Sequence, residues 1–149
     1  MLEKPRSCKT VDEIEIGDRI VVAYHVSDED VRKFAEISGD WNPLHFDDDF
    51  AERSIFGQRI AHGMISVAKF SGIYGMDLPG LGTLWKMQEV EFLAPVYLNR
   101  EYKAIAEVIG KDRRHVYFST WVEDSEGKQV ITGKGTAIPI TERARKNLK

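Results

Sequence analysis

Cysteine is nearly absent: Cys8 stands alone in 149 residues, so no internal disulfide can form and the chain suits a reducing, cytoplasmic compartment. Read by itself, that thiol near a terminus is a spectator. A long hydrophobic run is missing too. The most apolar stretch, Met64 to Tyr74, contains Lys69 and falls well short of the ~20 residues needed to span a bilayer, so it reads as a buried helix. The N-terminus, MLEKPRSCKTVDEIEIG, offers no apolar core of an export signal, and its Glu3, Asp12, Glu13 and Glu15 argue against an acid-poor transit peptide. No charge of one sign dominates, because 21 basic and 24 acidic residues are interspersed for a net charge of -3; a general attraction to nucleic acid is therefore excluded. Repeats, low-complexity tracts and linkers are also lacking. A chain of this length with 42% hydrophobic content is expected to form one domain, 1–149, with 1–13 as a polar lead-in and 140–149 as a solvated charged tail.

What is present alternates between two periods. Ile14, Ile16 and the β-branched run Asp18 to Val26 predict a first strand. Ser27 then caps a helix whose first turn is acidic, whose apolar face is Val31, Phe34, Ala35 and Ile37, and which Gly39 stops. From Asp40 to Ala61 the pattern becomes irregular and polar, and a long irregular segment in a compact domain points to function. The second helix, Gly63 to Tyr74, is apolar on nearly every side and has to be enclosed. Four strand-like runs follow to do so: 83–94, 101–109, 115–122 and 129–138. The expected fold class is α+β, an antiparallel sheet curled around a central helix. Gly133 and Gly135 in the last run mark either a bulge or the close approach of another element.

The chemistry concentrates in SGDWNPLHFD, Ser38 to Asp47, where Asp40 and His45 stand five residues apart directly after the helix stop. Gly39 permits a sharp turn and Pro43 restricts both itself and Asn42, so the stiff loop can hold a carboxylate and an imidazole over one water. Asn42 is suited to bonding nearby backbone and fixing the loop. Such a pair standing alone is also compatible with a surface contact or a loop cap. A second group is HGM, 62–64, where glycine opens the apolar helix. The free N–H groups there can bind an oxygen that becomes negative, with Gly63 allowing close approach, or Gly63 can simply enter a tight turn. The acidic run Asp47, Asp48, Asp49 beside His45 lacks calcium-loop spacing, and no second histidine is close in sequence for zinc, so it reads as solvated charge and no metal is expected.

SGDWNPLHFD followed by FGQRIAHGM resembles the signature of the MaoC-like R-specific enoyl-CoA hydratases, Gly-Asp-x-Asn-Pro-hydrophobic-His and then His-Gly-Met, with likeness extending from about Gly17 to Ile138. The resemblance implies the hot-dog fold, a homodimer joined edge to edge through its sheets, and an acyl-CoA or acyl carrier protein thioester as substrate. It implies reversible hydration of a trans-2-enoyl thioester to the (R)-3-hydroxyacyl product, with no cofactor. Carried over by position, Asp40 and His45 become the catalytic dyad and the Gly63 N–H the oxyanion donor. Ser71 falls where some members have an active-site serine, although a serine in an apolar helix also bonds back to its own backbone. His62 suits anchoring the loop better than proton transfer. Two other readings fit the same fold: a thioesterase, and a non-catalytic acyl-thioester binding subunit. An acidic carrier protein would need a basic patch, for which Arg53, Arg59, Arg113 and Arg114 are the candidates.

Overall fold

The β-branched and alternating runs pair into one curved antiparallel sheet, as a computed structural model describes for residues 3–148; Met1, Leu2 and Lys149, at the ends of the expected lead-in and tail, lie outside the described residues. Its strands are β1 (Arg19–Tyr24), β2 (Leu84–Phe92), β3 (Tyr102–Lys111), β4 (Val116–Asp124) and β5 (Gln129–Ile138), in the order β1-β3-β4-β5-β2. β3, β4 and β5 follow one another through short turns and pair as neighbours. β2 pairs with β5, so β1 and β2 are the two edge strands of the sheet.

Helix α1 (Asp28–Ser38) starts where Ser27 accepts a hydrogen bond from the Asp30 N–H while the Asp30 carboxylate accepts from the Ser27 N–H. It ends at Gly39, whose φ of 77° is left-handed and cheap only for glycine. Val31 and Ala35 are buried as expected, but Ile37 is 84% exposed and belongs to no core face. Likewise Ile14 is fully buried whereas Ile16 is 67% exposed, so the strand begins only at Arg19.

The central helix α4 (Gly63–Gly72), prolonged by a wider π turn over Ile73–Asp77, packs on β2 and β3. Fully buried Ala104 and Ala106 on β3 are small enough to admit it, and Val67, Phe70, Ile73, Tyr74 and Phe118 fill the space between layers. The sheet does not enclose the helix on every side: Met64, Ala68 and Ser71 remain exposed along one flank. Gly133 and Gly135 mark close approach. A Cβ on Gly133 would stand 1.9 Å from the Glu89 carbonyl oxygen, and one on Gly135 2.1 Å from the Tyr74 hydroxyl. The bulges lie elsewhere, at Trp85/Met87, Val108/Gly110 and Val122/Glu123.

Both ends of the chain are tied to this body. Cys8 forms an isolated bridge with Gly80, and the tail includes a short helix, α5 (Glu142–Lys146), whose Arg145 donates to the Glu13 carboxylate and the Cys8 carbonyl. Charge composition alone makes the tail look solvated; its one docked arginine is visible only in space.

Candidate active site

The segment that lacked periodicity is a chain of local caps. After the turn at Gly39, the Asp40 carboxylate accepts the Asn42 N–H through Oδ1 at 3.1 Å. The Asn42 side chain in turn accepts the Leu44 N–H at 3.0 Å, capping α2 (Pro43–Phe46), with Pro43 in its first turn. Asn42 thus ties its side chain to the loop's own backbone. The acidic run has the same character: Asp47 accepts the Phe50 N–H to cap α3 (Asp48–Glu52), and Asp48 and Asp49 occupy the positive end of that helix.

His45 sits on α2, buried, with Nδ1 2.7 Å from the Ile60 carbonyl oxygen. A carbonyl only accepts, so Nδ1 carries a proton, and in the neutral ring Nε2 keeps its lone pair. That lone pair lies 3.7 Å from Asp40 Oδ2. Two acceptors at this separation make no direct hydrogen bond, but a water between them can donate one proton to each. Its oxygen lone pairs then face outward, free to attack.

His62 completes the cluster. It is 4% exposed, its ring stacks on His45 at 3.8 Å between centroids, and its Nε2 donates to the Asp40 carbonyl at 2.9 Å. Burial, opposed in part by that hydrogen bond, holds its pKa below the ordinary imidazole value, so the ring is neutral at pH 7. His62 is also the residue before Gly63, which opens α4. Gly63 borders the same cavity, about 470 Å³, with Asp40, His45, Ile60 and Phe92. The Gly63 Cβ direction is filled by Phe92, whose ring would be 2.3 Å from an added carbon, so any larger residue there has to displace that half-exposed ring from the cavity wall.

The absence of a second nearby histidine in the sequence does not hold in space: Asp40, His45 and His62 bring ligand atoms within 4.8 Å of one another. The donor set suits a cation poorly, since the two rings lie face to face and His62 spends its Nε2 proton on a carbonyl. Ser71 is exposed on the open flank of α4 and does not border the cavity of Asp40 and His45. The buried serine of the helix is Ser66, which accepts a 2.6 Å hydrogen bond from Tyr24.

Arg59, a candidate for a carrier-protein patch, is committed elsewhere. Its Nε donates to the His45 carbonyl at 2.7 Å and its other end is ion-paired with Asp28 at the start of α1. That tie between α1 and α2 is a positioning role that sequence reasoning missed, since nothing local distinguishes Arg59 from a surface cation. Phe34, packed 4.9 Å from the His62 ring, was read only as helix core.

The MaoC-like domain model matches residues 12–134, which takes in β1 to β4, the first part of β5, α4 and all three polar groups. The chain belongs to this family. An (R)-specific enoyl-CoA hydratase of Rhodospirillum rubrum is 35% identical over 85% of this chain and 89% of its own. A 3-hydroxybutyryl-CoA dehydratase of Methylorubrum extorquens is 40% identical over 89% of this chain and 90% of its own. The solved (R)-hydratase from A. caviae involved in PHA biosynthesis superposes with a TM-score of 0.84 at 30% identity, covering 87% of this chain and all of that one. The α+β arrangement is thus the hot-dog fold of these hydratases. Among the described residues no helix is long and apolar enough to cross a membrane.

Proposed function

We propose that this MaoC-like protein adds water reversibly to trans-2-enoyl thioesters, giving the (R)-3-hydroxyacyl product. The observation that carries the reading is the pair of acceptors, Asp40 Oδ2 and His45 Nε2, 3.7 Å apart beside the N-terminus of a ten-residue helix. Conjugation to the thioester makes C3 electrophilic. As the bridged water attacks C3, one of its O–H bonds breaks toward Asp40, and negative charge moves onto the thioester oxygen. The Gly63 N–H and the helix dipole stabilise that oxygen. Collapse of the enolate takes a proton at C2 from the dyad, so the water's proton ends on carbon and the catalyst is unchanged. The sum is redox-neutral, and His45 can serve because the Ile60 carbonyl holds it in one tautomer.

Names of the relatives with high coverage support the substrate class, since two of them act on CoA thioesters by name. On this reading the enzyme works in the cytoplasm as a homodimer, with CoA or an acyl carrier protein bearing the acyl group. The test is direct: purified protein mixed with trans-2-butenoyl-CoA, followed by loss of the conjugated absorbance and chiral separation of the product. The expected result is the (R)-3-hydroxy thioester with no free thiol. Release of free CoA without hydration would replace this reading by a thioesterase.

A further inference from the structure

A group of titratable side chains outside the cavity of Asp40 and His45 joins the turn between β3 and β4 to the early part of β2. At its base is Asp112. Its Oδ2 accepts the Tyr117 hydroxyl at 2.6 Å, and its Oδ1 accepts the N–H groups of Arg114 and His115, each at 2.8 Å. The hydroxyl first, then the two N–H groups, hold this carboxyl well below the usual carboxylate range, so it is ionised at neutral pH. The His115 ring stacks with Tyr117, 6.1 Å between centroids, and its Nδ1 is 3.1 Å from Asp112 Oδ1. On the other side of the ring, Nε2 is 3.1 Å from Nζ of Lys86.

Those partners settle where the ring carries its proton. A carboxylate only accepts and an ammonium only donates, so Nδ1 is protonated and Nε2 turns its lone pair toward Lys86. Carboxylate, imidazole and amine thus form one chain of hydrogen bonds, the order in which a weak nucleophile is activated by an oriented base. A contact that only fastened β2 to the turn would be served better by a carboxylate opposite the lysine. Among the described residues Lys86 makes no ion pair, and its side chain has only this lone pair as a partner. Lys86 is exposed, as are Arg113 and Arg114 directly before His115. Neither arginine is ion-paired among the described residues, and both border a cavity of about 600 Å³ together with Leu84, two residues before Lys86. Free guanidinium groups raise the local concentration of a polyanion.

We propose that Lys86 is a self-acylation site whose donor is an acyl-CoA thioester. The amine attacks the thioester carbonyl carbon; a C–N bond forms and the C–S bond breaks, its electron pair leaving on sulfur. The ammonium loses two protons in becoming an amide. His115 Nε2 takes them from nitrogen in turn, one passing to the departing thiolate and one to solvent, while Asp112 offsets the imidazolium charge between transfers. The products are an amide on Lys86 and free CoA, with no change of oxidation state. Hydration would bring such thioesters to the protein, but the site does not depend on it, because the donor needs no double bond.

The test mixes the full chain with butyryl-CoA, which has no alkene to hydrate, and follows each lysine by peptide mass spectrometry. Lys86 is expected to acylate about tenfold faster than Lys103 and Lys128, two exposed lysines that serve as internal references. His115→Gln and Asp112→Asn are each expected to bring Lys86 down to the reference rate. Asp112→Asn keeps an oxygen for the backbone N–H groups, so the turn is retained even where His115→Gln disturbs it. Arg113→Ala/Arg114→Ala should slow acylation by the CoA ester about threefold and leave that by butyryl-pantetheine, which lacks phosphate, unchanged. Lys86 reacting no faster than the references, or keeping its advantage in either folded relay variant, overturns the inference. Equal slowing of both esters by the arginine substitutions overturns CoA as the preferred donor. Hydration is read by a separate signal on the enoyl ester, so its failure is distinguishable from any of these.

Discussion

Asp40→Asn changes one atom of chemistry and almost nothing else. Asp40 Oδ1 accepts the Asn42 N–H at 3.1 Å, and an asparagine placed with its oxygen there keeps that bond, the loop and the cap of α2. The amide nitrogen then takes the place of Oδ2, 3.7 Å from His45 Nε2. It offers the bridging water a donor where the wild type offers an acceptor, so the water is no longer relieved of a proton as it attacks. Loss of a positioned general base costs about 10²–10⁴-fold in rate, which is about 3–5 kcal/mol of barrier at ~1.4 kcal/mol per decade. The substitution is thus expected to lower kcat by that factor on trans-2-butenoyl-CoA and to leave KM nearly unchanged, because Gly63 and the cavity walls still hold the ester. The carboxylate side chain is 49% exposed and carries no buried ion pair, so the melting temperature should move little. A folded Asp40→Asn protein retaining more than a tenth of wild-type kcat would refute the assignment of Asp40 as base.

His62→Phe keeps the stack on His45 but removes the donor to the Asp40 carbonyl, so kcat is expected to fall by about tenfold, with KM less affected; a loss in KM alone counts against a positioning role. The native His62 pKa lies below its unfolded value, so the unfolded chain takes up the proton first. Wild-type stability is therefore full above about pH 6.5 and declines as pH falls through the native value, and thermal melts of His62→Phe should lack that part of the slope. Gly133→Ala must push β2 from β5 at the Glu89 carbonyl and is expected to cost about 3 kcal/mol in chemical denaturation, whereas Gly72→Ala, with open space around it, should be neutral or slightly stabilising. Glu13, bonded to the Thr10 N–H and Arg145, has its pKa lowered to about 2; its contribution is present above its ordinary value and lost as pH falls toward 2, so Glu13→Gln should flatten the acid limb of the stability curve.

Asp40, Asn42 and His45 stand out in the sequence as candidates because the loop that carries them is local. A helix stop, a turn and two caps lie within ten residues, and each cap bonds a neighbour two or three positions away. The pairing of β3, β4 and β5 is less local but follows from patterning, since three consecutive strand runs with short turns pair as neighbours; the places of β1 and β2 at the edges do not follow from it. Periodicity likewise marked α4, though not which flank stays open, and it wrongly enlisted Ile37 for a core face.

What tertiary structure alone decided are contacts between groups far apart in sequence. The tautomer of His45 is set by a carbonyl fifteen residues away, and the neutral state of His62 by burial under Phe34 and His45. Arg59 is a structural tie and not a surface cation because Asp28 and the His45 carbonyl converge on it. Gly133 and Gly135 are constrained by Glu89 and Tyr74, not by any turn of their own. The sequence by itself determined the main strands, the two long helices and the candidate residues of the polar loop, since these depend on neighbours along the chain. Protonation, orientation and spacing of those residues depend on neighbours through space, and only the fold supplies them.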